Sequence, residues 1–496
     1  LSFDEASDIG YDRNTSALQT MAQGAADANS DLAKNYWKAF YAGIAKCNYL
    51  LQNMSRGEDN VAPATYAQIK AEAQFLRALY YSYLIELYGD VPLITDVLTL
   101  ETGQQPRTPK SEVVDFILKE YTEAAENLPS TNNPTSGRAT KGAALALKAR
   151  TALYNERWQD AISASQAVIA MEGTEYIIED DYSKLFKYEG QTSKEVIFSV
   201  QYLLGTKVHA LYRLFGSRNA LAHTNKKPAY QLADTWECID GKQIDKSPMF
   251  DPKHPYENRD PRLGYTLAVS GSEFLGFQFE THGDSTKCWN YMTNQRVDNL
   301  EATHAYATFT GICWRKYANI EDKDALNDCD MNTILIRYPE VLLTYAEAKI
   351  KAGEIDASVL EAINKVRQRP SVKMPPITTT DPNELFYAVA RERKYEFSGE
   401  GLRLFDIRRW KIAETVMNQP LLGRMKKSYP DKAPRIDEWG TAFYEGIPIA
   451  ESGESADFKM RVVDIRKFDK NRDYLWPIPY IERQTNPNLT QNPNYE

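Results

Sequence analysis

Trp289, Asn290 and Tyr291 stand side by side in SGSEFLGFQFETHGDSTKCWNYMTNQ, a stretch rich in Gly, Ser and Thr. An indole and a phenol next to a side-chain amide can stack on the C–H face of a sugar ring and hydrogen-bond its hydroxyls. Arg218 and Asn219, in LFGSRNALAH, add donors of the kind a hydroxyl-rich ligand takes. Both stretches lack helical periodicity, so helix packing has the least claim on these aromatics, and the five residues are the candidate ligand contacts. The competing interpretation is that they pin loops to the body of the fold.

Signatures of catalysis and cofactor binding are missing. The five histidines, His209, His223, His254, His282 and His304, form no H-E-x-x-H zinc motif. There is no G-x-x-x-x-G-K-[ST] phosphate loop and no G-x-S-x-G nucleophile elbow. The G-E-G at 399–401 lacks the third glycine of a dinucleotide loop and reads as a helix-to-helix turn. DKDALNDCDMN lacks the glycine and closing glutamate of an EF-hand. Five cysteines without a C-x-x-C pair point to scattered thiols, not to a disulfide framework or zinc site. We therefore expect no catalytic residue, metal or cofactor, although a glycosidase needs only two spaced carboxylates and 68 acidic residues leave that alternative open.

A net charge of −9 argues against a broad nucleic-acid footprint. RERKYEFSGEGLRLFDIRRWK concentrates bases, but Glu392, Glu396, Glu400 and Asp406 alternate with them, so charge pairs locking helices together are favoured over a phosphate site. No stretch approaches the roughly 20 apolar residues needed to span a bilayer.

The elements that must carry these residues are mostly helices. In AEAQFLRALYYSYLIELYGDVPLIT, residues 71–95, Ala73, Leu76, Tyr80, Tyr83 and Leu87 recur at steps of three and four, Gly89 suits a left-handed cap and Pro92 a stop. The tyrosines therefore read as core, and the helix ends near Tyr88. Further helices are expected at about 31–54, 111–127, a small-residue pair within 139–171, a pair opening at RYPEVLLTYAEAKIKAG, and 382–398. Pro339 and Glu340 suit a first turn, Gly353 the hairpin turn and Pro370 the end. Residues 195–330 read as a loop-rich, partly β excursion with EVIFSVQY and GICWRKYANI as strands. The segment 418–496 reads as irregular, Pro-punctuated chain that must be pinned over the body. This describes one mainly α domain, its helical scaffold at about 31–171 and 332–417 in about four tetratricopeptide-like pairs.

Several motifs together carry a resemblance. AEAQFLRALYYSYLIELYGDVPLIT, NRDPRL, IRYPEVLLTYAEAKIKAG with INKVRQR, RERKYEFSGEGLRLFDIRRW and WPIPYIERQTNPNLTQNP occur in the order seen in the SusD/RagB family of outer-membrane nutrient-binding lipoproteins of Bacteroidetes. The sequence resembles that family over nearly its whole length. The resemblance implies a tetratricopeptide-like scaffold under a loop-rich ligand face, and non-catalytic capture of glycans at the cell surface. It also implies partnership with a SusC-like TonB-dependent transporter and anchoring through a lipidated N-terminal cysteine, absent from this chain. The matched motifs are scaffold motifs, so the five ligand candidates rest on the loop argument alone. Two other functions compete with this one: a glycoside hydrolase on a helical scaffold, and an intracellular helical-repeat adaptor that holds peptides in its groove.

Overall fold

A computed structural model of the chain describes residues 2–14, 16–134 and 136–495. It is mainly helical. The longer helices, numbered in chain order, are α1 (Asp31–Asn53), α2 (Pro63–Tyr88), α3 (Lys110–Asn127), α4 (Lys141–Tyr154), α5 (Trp158–Ile169), α6 (Tyr338–Ala352), α7 (Ala357–Arg367), α8 (Pro382–Phe397) and α9 (Arg403–Arg409). Each of α1 to α5 packs on the next, and α5 packs on α6 although 168 residues intervene (positions 170–337). Helix α6 continues the stack onto α7 and α8.

The tyrosines of α2 are buried or half-buried in this stack, as their spacing requires. For Tyr81 and Tyr88 the hydroxyls explain why tyrosine stands there and not phenylalanine. Tyr81 Oη donates to Ile94 O at 3.0 Å and accepts from Ile94 N at 2.7 Å, tying the extended chain beyond the turn to the helix. Tyr88 Oη donates to Ala33 O on α1. Gly89 caps α2 at φ +74°, ψ −123°, a positive φ outside the left-handed helical well. A Cβ there would meet Leu475 at 2.9 Å, so glycine also admits the C-terminal segment.

The 170–337 excursion leaves and rejoins the helical body through a single ribbon. Val196–Val200 pairs antiparallel with Thr333–Arg337, which leads directly into α6. Thr333–Arg337 is a β-branched run set off from the helix by Pro339 at its first turn, yet it falls inside the expected 332–417 helical scaffold because a five-residue strand is too short to stand out beside the long helical pattern that follows. GICWRKYANI differs from expectation too: only Cys313–Trp314 is strand, because Tyr317 turns the chain at φ +62°.

The basic cluster resolves into ion pairs. Arg393 on α8 meets Asp406 on α9 at 3.0 Å, and Arg409 meets Asp406 at 2.8 Å and also pairs with Glu347 on α6. Glu396 accepts from Arg262, Arg337 and Arg369, all fully buried. Three guanidinium groups hold its carboxyl well below the usual carboxylate range. The G-E-G turn is filled by the chain's own carboxylate: Asp4 accepts from Gly399 N (2.9 Å), Gly401 N (3.0 Å) and Arg403 N (3.2 Å).

The C-terminal segment is pinned to the body but is not irregular throughout as expected: Pro420–Gly423 pairs antiparallel with Arg461–Ile465, Arg435–Ile436 with Ala442–Phe443, and Tyr480–Thr485 forms a short helix. Trp476 N donates to Leu87 O at 2.7 Å, and Asn492 Nδ2 donates to Tyr88 O and Trp476 O. All five cysteines are buried and free.

Candidate functional site

The stretch around Trp289 is not the irregular loop expected from its composition. Glu273–Phe274, Phe277–Gln278, Lys287–Asn290 and Gln295–Asp298 form a four-stranded antiparallel sheet, with Trp289 and Asn290 on the third strand and Tyr291 in the following turn. The strands are two to four residues long, too short to show alternation above the surrounding polar residues. Within the third strand Cys288 and Asn290 are buried while Lys287 and Trp289 face outward.

The register places Trp289 in a row. Glu273 pairs with Gln278, Trp289 pairs with Arg296, and Phe277 opposite Asn290 sets Gln278 opposite Trp289. Trp289 N donates to Gln278 Oε1 at 3.3 Å. One face of the sheet thus presents a half-buried indole flanked by an amide and a guanidinium, with a carboxylate one strand further. Tyr291 stands 48% exposed at the sheet's end. Asn290 does a different job: its Oδ1 accepts from Met292 N (3.0 Å) and Thr293 N (3.2 Å), which forms the turn carrying Tyr291.

Arg218 and Asn219 lie at the foot of this hairpin. Asn219 Nδ2 donates to Asp298 O at 2.8 Å and its Oδ1 accepts from Leu300 N at 2.9 Å. Arg218 N donates to buried Glu301, and Arg218 Nε donates to Tyr306 O at 2.9 Å. Asn219 therefore fixes the chain where the hairpin ends, and Arg218 fixes the 301–306 segment beside it. The structure joins the two groups of candidates through 298–301 and not by direct contact between them.

That segment supplies residues the sequence reasoning passed over. Tyr306 is 59% exposed, with the Arg13 and Arg218 guanidinium groups over its ring at 5.2 Å and 5.9 Å. Phe309 lies under Arg461 (4.4 Å) and Lys227 (4.5 Å). The signal available was ATHAYATFTG, two aromatics among small residues in a stretch without periodicity. Its basic partners come from positions 13, 218, 227 and 461, which no local pattern connects. Beside Phe309 opens a polar cavity of about 460 Å³ whose walls include Glu301, His304, Arg424 and Arg461.

Among the described residues no group of three or more His, Cys, Asp or Glu is arranged to hold a metal ion, and no helix is long and apolar enough to cross a membrane. A second groove, of about 670 Å³, runs between α1, the 94–105 segment and the Tyr480–Thr485 helix, on the helical body and away from the sheet.

Residues 194–495 match the model of the SusD family, and residues 2–153 match a model described as "starch-binding associating with outer membrane". A SusD-like carbohydrate-binding protein from Bacteroides fragilis is 30% identical, with a TM-score of 0.82 over 98% of this chain and 92% of that one. A second SusD-like protein from the same organism is 26% identical, with a TM-score of 0.78 over 100% and 93%. SusD-like protein P2 of Formosa agariphila is 25% identical over 94% of this chain and 81% of that one. These relatives are described as SusD-like or carbohydrate-binding, and none as an enzyme. A family match over residues 194–495, more than half the chain, joined to a shared fold over nearly all of it, establishes that the chain belongs to the SusD family.

Proposed function

We propose that the protein is a non-catalytic receptor for glycans, displayed at the outer membrane, that passes captured oligosaccharides to a SusC-like TonB-dependent transporter. The observation that carries this is the row Glu273, Gln278, Trp289, Arg296 on the outer face of the four-stranded sheet. An indole offers its face to the C–H surface of a sugar, and the flanking amide and guanidinium offer donors to its hydroxyls. Because the aromatic sits on a hydrogen-bonded sheet, little order has to be created on binding.

The family membership supports the binding role, and the carbohydrate-binding description of the B. fragilis relative supports glycans as its object. Display at the outer membrane follows the family description matched at residues 2–153. Attachment through a lipidated cysteine and hand-over to a transporter extend the same family resemblance.

A glycan array followed by calorimetry on the hits tests the function. Saturable binding of an oligosaccharide with no product after prolonged incubation supports a receptor. Release of shorter sugars would make the protein a hydrolase, and a blank array would remove the glycan reading. Co-purification with a transporter of the TonB-dependent class, when the two are expressed together, tests delivery.

A further inference from the structure

Most buried arginines of this chain are matched to carboxylates. Arg262, Arg337, Arg367, Arg369 and Arg393 all pair with Glu or Asp. Among the described residues, buried Arg259 and Lys394 lack an ion pair and donate instead to backbone carbonyls, whereas the half-buried and buried cations gathered around Tyr306 and Phe309 form a cluster without ion pairs. Lys226 pairs with Asp12 at 2.8 Å, but its neighbour Lys227 has no ion-pair partner among the described residues, and neither do Arg13, Arg218 and Arg461. Arg13 spends its donors on the carbonyls of Tyr306 (2.6 Å) and His223 (3.0 Å).

Two of the local cations are buried with donors to spare. Lys227 is 0% exposed and its Nζ has no hydrogen-bond partner. Arg424, 4% exposed, forms part of the cavity wall; its Nη1 donates to Ser270 Oγ (2.6 Å) and Thr281 Oγ1 (3.0 Å), while Nη2 has no partner. The nearest carboxylate to that guanidinium is Glu280 at 3.9 Å. Burying unmatched positive charge is costly and is tolerated where an anion completes the arrangement. In a chain of net charge −9 this local excess is the opposite of what composition supplies.

We propose that the cavity beside Phe309 receives an anionic substituent, a carboxylate or sulfate ester, on the oligosaccharide the protein captures. Arg461, half-buried over the Phe309 ring, and Arg424 in the wall supply the planar donor forks that match such groups. Arg13, Arg218 and Lys227 set the positive potential behind them. Glu301 and Asp457 also line the cavity, and Asp457 is engaged by Lys427 at 3.4 Å. This inference rests on the glycan-receptor function and names the class of glycan.

The test is calorimetry on the full chain with three hexasaccharides: an oligogalacturonate, a sulfated carrageenan fragment and neutral maltohexaose, alongside the array hits. At least one charged probe is expected to bind ten-fold or more tighter than the neutral one, with affinity falling as salt rises from 50 to 300 mM. Which charged probe wins distinguishes carboxylate from sulfate. Arg461→Gln is expected to erase that preference while the thermal midpoint and neutral-sugar affinity stay unchanged. Equal or weaker binding of both charged probes than of a neutral glycan overturns the anionic inference and leaves the receptor function standing. So does an Arg461→Gln variant that loses charged and neutral binding alike. A chain that binds no glycan of either kind overturns both.

Discussion

Trp289 and Arg296 stand directly opposite one another across the Lys287–Asp298 hairpin, on its outward face. The pair gives the indole a charged neighbour that can donate to a ring hydroxyl while the sugar rests on the aromatic. Arg296→Ala is expected to weaken glycan binding by about three- to ten-fold, the loss of one net hydrogen bond, with no change in thermal midpoint. Asn290→Ala should do the reverse. It removes two turn hydrogen bonds, lowers stability by about 1–2 kcal/mol, and affects affinity only through the placement of Tyr291. Calorimetry beside a thermal melt separates the two.

Glu396 is the hub on which Arg262, Arg337 and Arg369 converge from three parts of the chain. Glu396→Gln removes the carboxylate the three share, while Arg262 keeps Asp260 and Glu392, Arg337 keeps Glu195 and Glu400, and Arg369 keeps Glu195, so the cost should be about 3 kcal/mol, the lower end for a buried pair broken on one side. Urea unfolding at neutral pH measures this. The depressed pKa also sets a direction: stability from this group is complete above the ordinary glutamate value of 4.5 and is lost as pH falls below it.

Glu5 behaves in the opposite sense. Burial pushes its carboxyl up to about 7, Lys226 opposing, and only its Oε1 is engaged, by Trp314 Nε1. The folded chain therefore holds a proton that the unfolded chain releases near 4.5, and the contribution is lost as pH rises from 4.5 through 7. Glu5→Gln is expected to stabilise the protein by on the order of 2 kcal/mol at pH 8 and to leave it unchanged at pH 4. Melting curves at the two values check this.

Lys227 links stability to the anionic site. Burial pushes its amine down to about 7, with Arg13 and Arg218 adding to the effect and Glu301 and the Cys313 thiol opposing it. Its stabilising contribution is lost as pH falls from the ordinary 10.5 toward 7. Lys227→Met removes an unsatisfied buried donor and should gain about 1–3 kcal/mol at pH 7. The same variant should bind the preferred charged hexasaccharide more weakly at pH 6, where the native amine is charged, and nearly normally at pH 8.5.

How much of this was legible in the sequence differs between scaffold and site. Helix α2 could be read from Ala73 to Tyr88 because long elements repeat their burial pattern several times, and Pro339 and Gly353 punctuate as local chemistry requires, while Gly89 ends its helix at positive φ but outside the expected left-handed well. The sheet that carries Trp289 could not, because strands of two to four residues hold too little of a period. The Val196–Val200 and Thr333–Arg337 ribbon pairs residues more than 130 positions apart, which no local pattern encodes. Trp289 and Tyr291 stand out in the sequence because aromatics in polar surroundings are conspicuous, and the structure leaves Trp289 half-buried and Tyr291 exposed. Asn219 and Asn290 were equally conspicuous, and their side chains are taken up by backbone groups. The cluster at Phe309 escaped because its cations converge from both ends and the middle of the chain.

Capture of glycans by the sheet face around Trp289 can be measured at one residue. Calorimetric titration of native protein and Trp289→Ala with the best glycan from an array tests it most directly. Glycan capture on this face requires at least a ten-fold loss of affinity, about 1.4 kcal/mol, with the thermal midpoint held within about a degree. Unchanged affinity in a folded Trp289→Ala protein would contradict it.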